Sequence, residues 1–152
     1  MAPTALKRAV LKAARTHLEN IAAELKERVA DLRTVTMGGD EAETASQTES
    51  TRGSDVDLMN ALEEQLRQVE QDIERLDQLD PAAHATTVQF GTVVHTSARN
   101  FLIAASMDEF DAMGRRYLGV TPKAPVVQAL LGRSVGESAI VNGVTYTVEA
   151  IV

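Results

Sequence analysis

Cysteine and tryptophan are absent from this chain, and two Tyr and three Phe make up its 3% of aromatic residues. Without Cys there is no disulfide, no thiolate-bound zinc and no thiol nucleophile. So few rings leave little of the stacking surface on which single-stranded nucleic acid is usually held. No apolar run approaches the ~20 residues that a membrane-spanning helix needs. Met1–Leu11 also lacks the continuous apolar core of a secretory leader, so a soluble, cytoplasmic protein is expected. Catalytic constellations are missing too. There is no Ser-His-Asp set, glycine-rich phosphate loop or zinc spacing, and His17, His84 and His95 are scattered, so no independent enzyme is expected.

What is present is unevenly distributed. Residues 1–80 carry 10 basic and 17 acidic side chains, a balance of −7, while residues 81–152 carry five of each and balance to zero. An acidic half cannot release DNA counterions by neutralising phosphates, which disfavours general DNA binding. The 152 residues suffice for one ordinary domain or two small ones, and the charge shift near residue 80 suggests two.

Residues 5–35 predict one long helix, with Thr4 as N-cap. Leu11, Leu18, Leu25 and Leu32 recur every seventh residue, with Ala14, Ile21 and Val35 between them and Arg28 interrupting the second set. Such a repeat keeps one apolar stripe facing a partner helix. Residues 38–53 contain no large apolar side chain and predict a solvated connection. A second helix is expected over about 55–79, capped by Ser54, with the seam Leu58, Leu62, Leu66, Val69, Ile73 and Leu76. Asp80-Pro81 ends it, because the residue before proline avoids helical geometry. Two matching stripes in one chain favour an antiparallel hairpin over intermolecular pairing, since the intramolecular partner has the higher effective concentration. The hairpin would carry the acidic connection at its far end.

Beyond residue 86 the period changes to two. Val88–Thr96, Phe101–Ser106, Arg116–Val120, Ala139–Val141 and Val144–Ile151 predict strands, and Asn142-Gly143 is a strong hairpin turn signal. Pro125–Leu131 predicts a short helix with proline in its first turn, Gly132 as C-cap, and Leu130 and Leu131 in the core. The expectation is α+β: an antiparallel coiled coil over 1–80, then a small antiparallel sheet with one short helix over 81–152.

The segment Ala124-Pro125-Val126-Val127-Gln128-Ala129-Leu130-Leu131-Gly132-Arg133-Ser134-Val135-Gly136-Glu137 resembles the C-terminal signature of the GreA/GreB family of transcription elongation factors. In that signature a Ser-Pro, a short helix ending in Leu-Leu-Gly-basic and a Val-Gly-acid precede the last hairpin; here Ala124 replaces the serine. Phe90-Gly91-Thr92-Val93-Val94 resembles the family's first strand, and Gly39-Asp40-Glu41-Ala42-Glu43 its Gly-Asp-x-x-Glu tip. Thr44–Ser50 depart from the family's usual continuation, and the connection is longer than in cleavage-stimulating members.

The resemblance implies an FKBP-like second domain that docks on the rim of the secondary channel of bacterial RNA polymerase. It also implies a coiled coil that enters that channel. There, tip carboxylates help hold a second Mg²⁺ of the polymerase site, and a backtracked transcript end is cleaved by the polymerase itself. Carried onto this sequence, the assisting acids are Asp40 and Glu43, with Glu41, Asp55 and Asp57 as alternative tip acids. Pro125, Arg115, Arg116 and Arg133 are the candidate partner-binding residues. No cofactor of its own is implied, and a monomer is expected. The chemistry is sound: Mg²⁺ keeps several waters and needs few protein carboxylates, so an exposed acidic probe acts only where another site supplies the rest.

Other readings stay open. The acids can serve solubility alone, since negative loops and helix N-termini are favourable without any ligand. The tip can block the channel instead of assisting cleavage, or the chain can be a coiled-coil adaptor without polymerase. The basic Lys7, Arg8, Lys12 and Arg15 can contact an acidic surface or simply face solvent. Prolyl isomerisation would need an aromatic-lined pocket, for which residues 81–152 offer Phe90, Phe101, Phe110, Tyr117 and Tyr146.

Overall fold

The structure is a computed structural model, and it describes residues 2–38 and 45–152, with side chains described for 2–34 and 53–152. Helix α1 spans Pro3–Gly38 and helix α2 spans Ala45–Asp77. Six strands and a short helix follow: β1 (Val93–Thr96), β2 (Asn100–Ile103), β3 (Met107–Ala112), β4 (Arg115–Val120), α3 (Pro125–Leu130), β5 (Ser138–Val141) and β6 (Val144–Ile151). The chain forms two compact units: residues 18–71, and residues 1–17 together with 72–152.

In the first unit the two helices pack through Leu25, Val29 and Leu62, with Ile21, Leu32, Met59, Leu66 and Val69 alongside. The leucine spacing foresaw this stripe in part. Val29 takes the seam position beside the exposed Arg28, because helix neighbours one residue apart point about 100° apart and the apolar one turns inward. On α2, Leu58 is 45% exposed and Met59 packs instead. Arg33 pairs with Glu63 at 3.0 Å, and in the other unit Arg15 pairs with Asp77. Numbers rise along α1 as they fall along α2, so the helices run antiparallel within one chain.

The second helix begins ten residues earlier than the sequence predicts, at Ala45 rather than 55. Ser54 is therefore an interior helical residue and not a cap. The reason is intrinsic: Ala45–Arg52 hold no proline and include the strong helix formers Ala45, Gln47, Glu49 and Arg52, so an existing helix can propagate backward through them at small cost.

In the second unit the sheet order is β3-β4-β2-β1-β6-β5. It is mostly antiparallel, but β2 and β4 run parallel, with Asn100 opposite Tyr117 and Ile103 opposite Val120. The expected all-antiparallel sheet is corrected by this pair. Its cause is β3, which sequence reading missed. β3 pairs with β4 at the sheet edge, so the chain passes β4's position and returns parallel to β2. Between β3 and β4, Met113 (φ 52°) and Gly114 (φ 73°) make the tight turn, the same pair of positive φ angles seen at Asn142 (51°) and Gly143 (79°) between β5 and β6.

Strand alternation divides the sheet's side chains between two faces. Val94, Phe101, Ile103, Val120 and Val148 form a core with Val127 and Leu130 of α3, with Tyr146 packed against it. Leu130 is buried as expected, but Leu131 is 49% exposed: it is the C-cap, where the backbone leaves the helix (φ −54°, ψ 129°), and Gly132 follows at φ +80°. The predicted strand Val88–Thr96 is shortened to β1. Residues 88–92 turn instead, with Gly91 at φ +88° and Thr92 Oγ1 donating to Gln89 O at 2.6 Å. On the opposite face, Tyr117 stacks on Phe110, which meets the His17 ring of α1 at 6.2 Å. Lys7 is 3% exposed and donates to Ala83 O at 2.5 Å, so it is no part of a solvated basic face.

Candidate functional site

A cleft of about 390 Å³ opens where β2 and β4 begin, beside the β1–β2 turn. That turn is set by Thr96, whose Oγ1 accepts from Arg99 N at 2.9 Å and from Ala98 N at 3.2 Å, and whose backbone N–H donates to Arg99 O at 3.1 Å. The ring of bonds places Arg99 at one side of the mouth. Arg115 and Arg116 arrive as the first residues of β4, so the β3–β4 turn delivers two adjacent guanidiniums to the other side. Glu109 of β3 lies between them, accepting from Arg99 at 2.8 Å and pairing with Arg116 at 3.4 Å. Asp111, outside the lining, takes a further share of Arg116 at 3.6 Å.

Behind the mouth lies a buried polar chain. Arg115 Nη1 is 3.3 Å from His95 Nδ1, and His95 Nε2 is 2.8 Å from Tyr117 Oη. A guanidinium can only donate, so Nδ1 accepts; in the neutral ring the proton then sits on Nε2 and is donated to the tyrosine oxygen. The electrostatics agree with a neutral imidazole. Burial pushes the His95 pKa below its usual value, the Arg115 charge lowers it further, and Glu149 opposes them weakly. Burial also raises the Tyr117 pKa, so the phenol keeps its proton.

Of the residues singled out from sequence, Arg115 and Arg116 come together here, whereas Pro125 and Arg133 do not line the cleft. Pro125 is exposed at the start of α3, and Arg133 folds back on that helix, donating to Ala129 O at 3.0 Å and facing Glu137 at 3.8 Å. Asp55 is half-buried and Asp57 exposed, both inside α2 rather than at its start. Asp40, Glu41 and Glu43 lie outside the described residues. Among the described residues no three His, Asp or Glu side chains gather as a metal site, and no helix is long and apolar enough to cross a membrane. Of the aromatic residues only Tyr117 reaches the cleft lining, and its ring is fully buried, while Phe101 and Phe110 belong to the two faces of the core, so the cleft is no aromatic-lined pocket. Sequence reading missed His95, Arg99 and Glu109, since only the strand register brings residues 95, 99, 109 and 115–117 together.

The fold and site define an α+β protein with paired long helices, a six-stranded sheet and an arginine-rimmed cleft. No protein-family model and no curated protein matches the chain. Among solved structures it is similar to the GreA factor homolog 1 (Gfh1) protein of Thermus thermophilus, at 17% identity over 92% of this chain and 95% of that one. The TM-score is 0.33, a likeness too low to carry a structural or functional argument.

Proposed function

We propose that this chain is a Gre-type transcription elongation factor acting on bacterial RNA polymerase in the cytoplasm. In this reading the monomeric protein inserts its helical hairpin into the polymerase secondary channel. The FKBP-like sheet domain docks on the rim through Pro125, Arg115, Arg116 and Arg133. Asp40 and Glu43, with Glu41, Asp55 and Asp57 as alternatives, support a second Mg²⁺ belonging to the polymerase site. The chain is then no enzyme itself but an activator of the polymerase's own cleavage of backtracked transcripts.

The observation that carries the reading is the pairing of α1 with α2 inside one chain, through Leu25, Val29 and Leu62, because a probe of this kind requires an intramolecular rod. Beside it stands the family-like segment Ala124–Glu137, which begins at α3 with its N1 proline and leads to β5. A second reading, a channel-binding regulator or inhibitor without cleavage stimulation, draws on Thr44–Ser50, which depart from the family's continuation and of which Ala45–Ser50 belong to α2.

A pull-down with bacterial RNA polymerase followed by a cleavage assay on a backtracked complex tests both. Binding with cleavage that is lost in Asp40→Ala/Glu43→Ala supports the first reading, and binding without cleavage supports the second. No co-purification, together with a dimer in solution, leaves a coiled-coil adaptor unrelated to polymerase.

A further inference from the structure

The cleft at the start of β2 and β4 has a charge arrangement that its packing does not explain and that goes beyond the docking role proposed for Arg115 and Arg116. Surface arginines in this chain commonly face a carboxylate, as Arg33 faces Glu63 and Arg133 faces Glu137. Here three guanidiniums line one cleft, and Arg99 and Arg116 share Glu109, its one lining carboxylate. Arg115 has no carboxylate within ion-pair distance among the described residues; its hydrogen-bond partner is the neutral imidazole of buried His95.

That partner has a consequence. A flexible arginine loses much of its rotamer freedom when it is fixed. His95 is itself held between Tyr117 and Arg115, so it aligns the guanidinium before any ligand arrives. Pre-alignment lowers the ordering cost of binding. The second face of the planar fork remains open toward the cleft, because Arg115 is solvent-exposed while His95 is 7% exposed.

We propose that this cleft binds a phosphate-bearing anion of nucleotide size, gripped by Arg99, Arg115 and Arg116. Guanidinium forks match phosphate oxygens bidentately. With Asp111 counted beside Glu109, one positive charge, that of Arg115, is left without a carboxylate. A phosphate monoester, at about −1.5 to −2 near neutral pH, supplies the missing negative charge together with oxygens for all three forks. The volume of about 390 Å³ falls in the range of small-molecule sites. A nucleic-acid strand is the poorer occupant: the chain carries −7 overall, and the aromatic ring nearest the mouth, Tyr117, is fully buried and unavailable for stacking. Arg115 and Arg116 also belong to the proposed docking edge, but anion binding is tested on the isolated protein, so its failure and the failure of the polymerase reading are distinguishable.

The experiment is calorimetric titration of the full chain with inorganic pyrophosphate and, separately, with ADP. Saturable one-to-one binding is expected. Arg115→Ala and Arg99→Ala should each weaken it roughly tenfold or more, as loss of a charged hydrogen bond does. Arg67→Ala on the helical hairpin should leave it unchanged. Glu109→Gln should tighten binding several-fold by removing the competing carboxylate, which keeps the test decisive if an arginine variant folds poorly by circular dichroism. Pyrophosphate binding as well as ADP assigns the site to phosphate alone, and tighter ADP binding assigns it to a nucleotide. The proposal is overturned by no saturation at millimolar ligand, by equal losses in Arg67→Ala and Arg115→Ala, or by an RNA oligonucleotide that binds more tightly than ADP through Arg115.

Discussion

The helical hairpin and the sheet unit solve burial differently. Among the described side chains between residues 18 and 71, the buried apolar ones are Leu18, Ala22, Leu25, Val29 and Leu62, four from α1 and one from α2. The rest of that interface is half-buried: Ile21, Leu32, Met59, Leu66 and Val69. The sheet unit instead closes Val88, Val94, Phe101, Ile103, Val120, Val127, Leu130 and Val148 into one core. A helix satisfies its own backbone hydrogen bonds, so a hairpin of helices tolerates a thin seam, whereas each strand depends on neighbours distant in sequence. The hairpin should therefore lose structure locally and the sheet all at once.

The largest expected effect breaks that comparison most directly. Phe101→Ala empties the sheet core and should cost about 4 kcal/mol, while Leu62→Ala in the hairpin should cost about 3 kcal/mol. Hydrogen exchange read by mass spectrometry should show lost protection across 93–120 for the first and across 53–71 for the second. If either variant loosens both regions equally, the two units unfold as one and the contrast is wrong.

A smaller effect sharpens it. A Cβ at Gly119 would lie 2.6 Å from Ala105 O in the β2–β3 connection and 3.1 Å from the backbone N of Met107 in β3, and it would collide with the Met107 side chain. Gly119→Ala should destabilise by about 2 kcal/mol, since neither backbone can retreat without breaking the β2–β4–β3 pairing. Chemical denaturation checks it. Gly53, whose Cβ would meet nothing, sits in α2, where Gly53→Ala should stabilise by several tenths of a kcal/mol.

The sheet unit also carries a buried titrating group. His95 has its pKa lowered from 6.5 by burial and by Arg115. In the window below 6.5 the unfolded chain binds the proton and the folded one does not, so protons favour unfolding. Stability is thus complete above pH 6.5 and falls as pH drops toward the folded value. A urea series from pH 7.5 to 5 should show the decline. His95→Gln should flatten it, and an unchanged slope would place the titrating group elsewhere.

Much of this fold was legible from residue spacing, and the parts that were not have a common cause. The leucine repeat showed two paired helices because helical contacts lie three or four residues apart. The Asn142-Gly143 signal showed β5–β6 because two residues set the turn. Met107–Ala112 hid because its burial alternates irregularly around Asp108 and Glu109, with a register shift between Met107 and Phe110. The parallel β2–β4 pair, and with it the approach of His95 to Tyr117, follows from that hidden strand. The charged pair Arg115-Arg116 was visible, but its cleft was not, since Arg99 and Glu109 join it only through the register.

The smallest effect belongs to the hairpin surface, and its size is the point. Arg33 and Glu63 bond at 3.0 Å, yet their side chains are 56% and 43% exposed. At such exposure solvent screens the attraction and the side chains lose rotamer freedom to form it, so the pair should contribute about 0.5 kcal/mol or less. A double-mutant cycle of Arg33→Ala and Glu63→Ala in low salt, repeated at 1 M NaCl, should find that coupling and then lose it, because the screening length falls to ~3 Å. A coupling above about 1.5 kcal/mol that survives high salt would mean that the pair, and not the buried stripe of Leu25, Val29 and Leu62, sets the register of the two helices. The hairpin would then share with the arginine cleft a dependence on fixed charge that its thin apolar seam does not suggest.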